Sequence, residues 1–290
     1  MENKSTDAAM VGVGDINQLP EECISHVISL TTPRDACVSS AVSRTSHSAA
    51  DSDVTWERFL PSDYDSILSR AVNPVEYTSK KELYFRLCEH PLLIDGGMMS
   101  FGLEKSSGAK CFMISARALS IVWGEDERYW KWIVLPESRF NACVELDRVC
   151  LLEICGKIDN KILTPHTTYA AYLIFKLAPN AWGLSNPFQR TEIILAGDIV
   201  SQHCVCLNIR EREQFNPWWD RPLPGGDTEE MSDDVILPKV RGDGWLEVEL
   251  GEFNSGDGID GDVSMSLTEN KGGHWKNGLI LIGIEVRPKH

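Results

Sequence analysis

The sequence predicts an α+β, multidomain chain, with a short helical part at the N-terminus followed by an antiparallel β-sandwich. Three observations carry this expectation. Apolar residues recur at helical spacing up to about residue 94. From about residue 95 they alternate with polar ones, in short runs separated by Gly, Asn and Asp. The 290 residues suit about two domains, and 42% of them are hydrophobic, ample for a core.

The elements follow in order. MENKSTDAAMVGVGDINQ, residues 1–18, lacks the apolar stretch of a secretory leader and reads as a disordered polar tail. LPEECISHVISL spaces Ile24, Val27 and Ile28 for one face of a helix, with Pro20 at its start, where a missing N–H costs nothing. A second apolar stripe, Val38, Ala41 and Val42, predicts another helix. Trp56, Phe59 and Leu60, then Tyr64, Ile67 and Leu68, continue the helical spacing. Ser79-Lys80-Lys81-Glu82 is a capping-box pattern that opens KELYFRLCEH, and Pro91 stops it.

Beyond residue 95 the period becomes two. GWLEVELGEF sets Leu246, Val248 and Leu250 against Glu247 and Glu249; DVSMSL sets Val263, Met265 and Leu267 against Asp262, Ser264 and Ser266. VCLLEICGKI, TYAAYLIFKL and LILIGIEVRP supply further strands. One polar and one apolar face per strand implies two sheets packed face to face. Residues 209–240, rich in Pro, Gly and acids, read as a long mobile loop.

Several function classes are excluded at this stage. A net charge of −15 repels phosphate backbones, so no nucleic acid is expected as a partner. No apolar run reaches the roughly 18–20 residues of a membrane span, so no membrane is expected either. Nine scattered cysteines suit a reducing compartment, the cytoplasm or nucleus. His203-Cys204-Val205-Cys206 lacks the second cluster a zinc site wants and reads as a strand with two half-buried thiols. NSGDGIDGD resembles a calcium loop in composition, but Ile259 stands where a ligand should, so a turn is expected. No metal and no cofactor is expected, and no GxSxG, HExxH, P-loop or GxGxxG is present to indicate an enzyme.

One stretch raises a question that composition cannot answer. SIVWGEDERYWKW, residues 120–132, carries three tryptophans and a tyrosine threaded with acids. Either the segment dips in and out of a core, or some rings are left out to hold something. Trp123 shares parity with Leu119 and Ile121 and is balanced between the two readings. Trp130 follows an acidic turn and is expected to be partly exposed, whereas Trp132, Trp245 and Trp275 are expected in the core.

Two families enter here. LPEECISHVISLTTPRDACVSSAVSRTSHSAADSDVTWERFLP resembles an F-box in Leu19-Pro20, the Ile24/Ile28 stripe, Pro33 with Asp35, Val42-Ser43-Arg44 and Trp56. It departs in one place, with Ser46 where the pattern usually has an aromatic residue. ARALSIVWGEDERYWKW, VELDRVCLLEICGKI, TYAAYLIFKL, RGDGWLEVELGEF and HWKNGLILIGIEVRP resemble the phloem-protein-type lectin domain known from Nictaba, a jelly-roll-like fold. The two in this order, with KKELYFRLCEHPLLIDGG between them, are similar to the plant F-box lectins. The implied division is a tail at 1–18, an F-box at 19–62, a helical linker at 63–94 and the lectin sandwich at 95–290.

The resemblance implies partners and a site. An F-box docks on a Skp-type adaptor of a cullin ubiquitin ligase, here through Leu19, Pro20, Ile24, Ile28, Val42 and Trp56. The lectin family binds N-acetylglucosamine oligomers and N-glycans with two tryptophans seven residues apart and two acids seven apart. These positions fall on Trp123 and Trp130, and on Asp262 and Glu269. An indole offers a flat apolar face for sugar C–H groups, and a carboxylate accepts from sugar hydroxyls. Asp262 replaces the longer glutamate of the family and retracts its carboxylate by one methylene. The implied function is a non-catalytic, substrate-recognising subunit of a ubiquitin ligase that takes glycoprotein targets. Two alternatives stay open: an adaptor whose sandwich binds a protein degron with a decayed sugar site, or a stress or phloem lectin with a vestigial F-box.

Overall fold

The computed structural model describes residues 19–213, 234–258, 261–271 and 273–289. It divides into two units. The first takes the chain up to Leu60 with Tyr77–Tyr84 and Lys105–Gly108, and the second takes Pro61–Glu76, Phe85–Glu104 and the chain from Ala109 onward.

The first unit opens with four short helices, α1 (Glu21–Ser29), α2 (Pro33–Ser39), α3 (Arg44–Asp51) and α4 (Asp53–Phe59). They are short because small hydroxylated residues keep restarting the chain. Thr32, Ser43 and Ser52 each accept the N–H three residues on, from Asp35, Ser46 and Thr55. Each such cap contributes about 1 kcal/mol. Ser46, the departure from the F-box pattern, is buried and receives the Ser43 hydroxyl at 2.9 Å, so a capping pair stands where an aromatic ring was expected.

Three of these helices are stitched together from inside. The Ala49 carbonyl accepts from Ser25 Oγ at 3.2 Å and from Thr55 Oγ1 at 2.9 Å, and Trp56 Nε1 donates to the Ala50 carbonyl at 2.6 Å. Trp56 is fully buried, edge-on to Phe59 at 5.5 Å and tilted against Tyr84 at 5.1 Å. The expected second stripe does not face this core. Val38 and Val42 are exposed, and α2 buries Ala36 instead.

Two more helices follow, α5 (Tyr64–Ser69) and α6 (Lys80–Glu89). At α6 the expected cap forms: Ser79 Oγ accepts the Glu82 N–H at 3.1 Å, and the Glu82 carboxylate turns back to the Thr78 N–H at 2.9 Å.

The second unit is built from fifteen strands among the described residues. In chain order they are β1 (Leu92–Ile94), β2 (Met99–Leu103), β3 (Lys110–Ser115), β4 (Ser120–Ile121), β5 (Trp130–Ile133), β6 (Cys143–Leu146), β7 (Leu152–Asp159), β8 (Thr168–Trp182), β9 (Gln189–Leu195) and β10 (Asp198–Val205). After helix α7 (Ile209–Glu213) come β11 (Val235–Ile236), β12 (Lys239–Val240), β13 (Leu246–Asn254), β14 (Asp262–Glu269) and β15 (Asn277–Pro288). The larger sheet runs β1-β2-β3-β15-β8-β13-β12, with β6 pairing β15 and β5 pairing β6. The smaller runs β11-β10-β9-β14-β7-β4. Pairing is antiparallel throughout except β10 with β11. The sheet starts at Leu92, three residues ahead of the expected domain start.

The two sheets approach closely at two glycines. A Cβ on Gly156 of β7 would stand 3.1 Å from Ile284 Cδ1 of β15, and one on Gly251 of β13 would stand 2.7 Å from Ile193 Cγ1 of β9. Leu152, Ile154, Val263, Met265 and Leu267 of the smaller sheet are buried, as are Leu173, Phe175, Val248, Leu250 and Ile284 of the larger.

A second apolar cluster forms from Met113, Phe140, Cys143, Ile174, Trp245 and Ile282. It explains why TYAAYLIF and GLILIGI read as continuous apolar runs: both faces of β8 and β15 are covered. Of the long loop expected at 209–240, α7, β11 and β12 are described, while 214–233 lie outside the described residues.

Candidate functional site

Antiparallel register brings four segments of the second unit to one end of the smaller sheet. The Val122 N–H donates to the Glu153 carbonyl at 3.1 Å, which continues β4 along β7. Glu153 pairs with Thr268, and Leu152 with Glu269, so the end of β14 lies one strand further. Val149 and Lys276 then form an antiparallel bridge just ahead of β15.

Trp123 sits at this end, 42% exposed, with φ at +58°. The left-handed region costs a side-chain-bearing residue about 1–2 kcal/mol. The turn around it is over-determined. Gly124 and Asp126 donate to the carbonyls of Ile121 and Trp123, both at 2.9 Å, and Arg128 grips Asp126 through two nitrogens. That guanidinium holds the Asp126 carboxyl down at about 2. The indole leans on the Tyr129 ring, with centroids 5.0 Å apart. The result is a flat apolar surface presented to solvent, the feature that raises the functional question.

From the sequence, Trp130 is expected beside it and partly exposed. In the structure Trp130 is 1% exposed, and its Nε1 donates to the Val122 carbonyl at 3.1 Å. Both its face and its donor are spent inside the protein. Trp132 is half-buried under the Arg117 guanidinium, 3.4 Å from the ring centre, and Trp245 is core as expected. Trp275 corrects the expectation in the other direction. It is 46% exposed, with the Arg148 guanidinium 5.6 Å from its centre.

The two acids part company. Glu269 is 2% exposed; its Oε1 accepts the Lys271 N–H at 2.7 Å, and its other oxygen faces the ammonium of Lys276, whose side chain is also fully buried. Asp262 is exposed at the opposite end of β14, paired in register with Asp159. Seven residues of strand put the two roughly 23 Å apart. Tyr129, Arg148 and Trp275 are the residues at this end that sequence reasoning did not pick out.

The adaptor set also divides. Ile24, Ile28 and Trp56 are interior. Leu19, Pro20 and Val42 are exposed, and so are Val27, Leu30, Val38 and Val54 of the same unit. Burial of the stripe leaves a different row of valines and leucines facing water.

The remaining motifs are quiet. His203 Nε2 meets Ser201 Oγ at 3.0 Å, Cys204 is exposed and Cys206 is buried. Among the described residues no three His, Cys, Asp or Glu side chains gather as a metal site would. Ile259, the odd residue of NSGDGIDGD, lies outside the described residues.

The fold defines a class: a small capped helical bundle followed, in one chain, by an antiparallel two-sheet sandwich. Comparison with known proteins matches both parts. The F-box-like family model covers residues 16–62, and the phloem protein 2 model covers residues 109–288. The F-box protein PP2-B10 of Arabidopsis thaliana is 42% identical over 276 residues, spanning 94% of this chain and 93% of its own. The F-box protein PP2-B15 of the same plant is 42% identical over 284 residues, spanning 93% and 96%. A family 35 carbohydrate binding module from Clostridium thermocellum superposes on 61% of this chain and 96% of its own, at 10% identity and a TM-score of 0.30, too distant to carry an argument. This chain belongs to the F-box proteins that carry a phloem protein 2 domain.

Proposed function

We propose that the chain is the substrate-recognition subunit of a Skp–cullin–F-box ubiquitin ligase in the cytoplasm or nucleus, and that its sandwich holds glycoprotein targets by an N-acetylglucosamine-containing glycan. The helical unit docks the adaptor through Leu19, Pro20 and Val42, with Val27, Val38 and Val54 widening the apolar surface. Ile24, Ile28 and Trp56 shape that surface from below. The subunit itself makes and breaks no bonds; its ligase partners transfer the ubiquitin.

The observation that carries the sugar reading is Trp123: a large ring held in the left-handed region, braced by Tyr129 and left facing solvent. A sugar laid on it would present its C–H face to the indole and its hydroxyls to the polar rim of Glu153 and Thr268. Trp130 fixes the turn from behind. Asp262 enters only for a ligand that runs the length of β14.

The burial of Trp130 and Glu269 favours a second reading, in which this end of the sandwich grips a protein segment. A glycan array probed with the full chain separates the two. Binding to N-acetylglucosamine-terminated or N-glycan structures supports the first, and silence across the array transfers the site to the second.

A further inference from the structure

We propose that the sandwich carries a second stacking platform, Trp275 with Arg148 beside it, which takes a second sugar of a glycan whose first sugar lies on Trp123. The proposal rests on the reading of Trp123 as a sugar-stacking residue.

Trp275 and Lys276 invert the usual order of burial. At Trp275-Lys276 the tryptophan is left in water and the lysine is fully buried, the reverse of what solvation favours. A loose loop does not account for it, because the backbone is pinned. Lys276 donates to the Val149 carbonyl at 2.8 Å, and Val149 donates back at 3.0 Å. The Lys276 ammonium reaches the His274 carbonyl at 2.6 Å and the Cys150 carbonyl at 3.4 Å, and faces the Glu269 carboxylate. A Cβ on Gly183 would stand 2.1 Å from the Trp275 carbonyl oxygen, so the end of β8 is packed against this peptide too. Trp275 is thus held outward by the interior, and Glu269 acts through Lys276 as its positioning residue.

Arg148 completes the platform. It precedes Val149 in the same bridge, and its guanidinium lies within cation–π range of the indole at 5.6 Å. That arrangement keeps the N–H donors of Arg148 at the edge of an apolar face, where sugar hydroxyl and acetamido oxygens would lie. The same backbone ties the two platforms together. The Tyr129 carbonyl accepts from Asp147 at 2.8 Å and from Arg148 at 3.4 Å, while the Tyr129 ring supports Trp123. Two separate rings on hydrogen-bonded neighbouring segments suit two separate sugars of one chain.

The test is titration calorimetry of the full chain with the series from N-acetylglucosamine to its pentamer. Wild-type affinity should rise with length. Trp275→Ala should change monosaccharide binding least and remove the gain with length, about threefold to tenfold for the longest member, which is what one aromatic contact supplies. Trp123→Ala should weaken every member. Trp275→Tyr keeps a flat ring and should restore most of the gain, which separates stacking from any effect on folding. Full length dependence retained in Trp275→Ala, or an equal loss at every length, overturns the second platform while leaving the sugar reading in place. A wild type that binds no member of the series removes the sugar reading and the platform with it.

Discussion

The Nε1–H of Trp130 donates to the carbonyl of Val122 at 3.1 Å, and that single bond splits a tryptophan pair that the sequence makes look equivalent. It anchors the residue just before Trp123, so the buried ring holds the turn that presents the exposed one. Seven residues apart in sequence, one ring ends buried and the other exposed because the chain between them is a hydrogen-bonded turn, with Trp123 in the left-handed region.

That division predicts opposite phenotypes. Trp130→Ala removes a buried indole and its hydrogen bond and should cost about 3–5 kcal/mol of stability. Trp123→Ala removes an exposed ring from a strained position and should leave the melting temperature nearly unchanged. Its glycan affinity should fall by roughly tenfold, about 1.4 kcal/mol. Thermal melts and glycan titrations run side by side check both. If Trp123→Ala melts far below wild type while its folded fraction binds normally, Trp123 is a packing residue.

The helical unit offers a similar contrast. Leu19→Ala with Pro20→Ala, or Val42→Asp alone, alters exposed residues and should abolish co-purification with the Skp-type adaptor while the far-ultraviolet spectrum stays helical. Ile24→Ala should act through stability, at about 2–5 kcal/mol, because Ile24 is interior. Undiminished adaptor capture by both surface variants would remove the ligase reading.

Strand parity was the most legible feature of the sequence. Val263, Met265 and Leu267 are buried, and Ser264 and Ser266 are not, as the alternation of DVSMSL requires. Helix starts were legible where they rest on local chemistry, as at Ser79 and Glu82. Parity failed where the chain leaves regular structure. Trp130 and Trp123 are separated by a turn, whose geometry no period describes. At Val38 and Val42 the helical stripe is present but α2 ends at Ser39, so the period carries past the element it would describe. Trp275 is expected in the core and is exposed instead. It precedes Lys276, whose buried pairing with Glu269 belongs to no local pattern.

Acid should weaken the sandwich through one charge network. Arg241 and Arg287 reach Glu247 and Glu285 at 2.6–3.0 Å, and Arg287 also stacks on Tyr172 at 3.8 Å. Burial alone would raise the Glu247 carboxyl, but the bonds from Arg287 override it and leave it below the ordinary glutamate value. A carboxyl lowered in the folded state contributes stability above its unfolded value, and that contribution disappears as pH falls through the lowered one. Urea midpoints should therefore drop as pH falls below the ordinary glutamate range, and Glu247→Gln should flatten part of that slope. An identical acid slope in the variant would place the proton uptake elsewhere.

Glu269 tests whether a carboxylate at an expected sugar position meets the sugar at all. Its side chain is buried, one oxygen takes the Lys271 N–H, and the other faces the buried Lys276 ammonium. Removing one partner of such a pair leaves an uncompensated charge in the interior, at about 3–5 kcal/mol. Glu269→Gln keeps the shape and removes the charge, so its first effect should be a melting temperature lower by roughly 10 °C. Replacing both partners, Glu269→Leu with Lys276→Met, should recover much of that loss, because buried pairs exchanged for apolar side chains are often neutral in stability. If Trp123 is the sugar-stacking residue proposed above, both variants should keep the affinity for a single N-acetylglucosamine. The opposite pattern, an unchanged melting temperature in Glu269→Gln with monosaccharide binding lost, would return the carboxylate to the role of sugar acceptor.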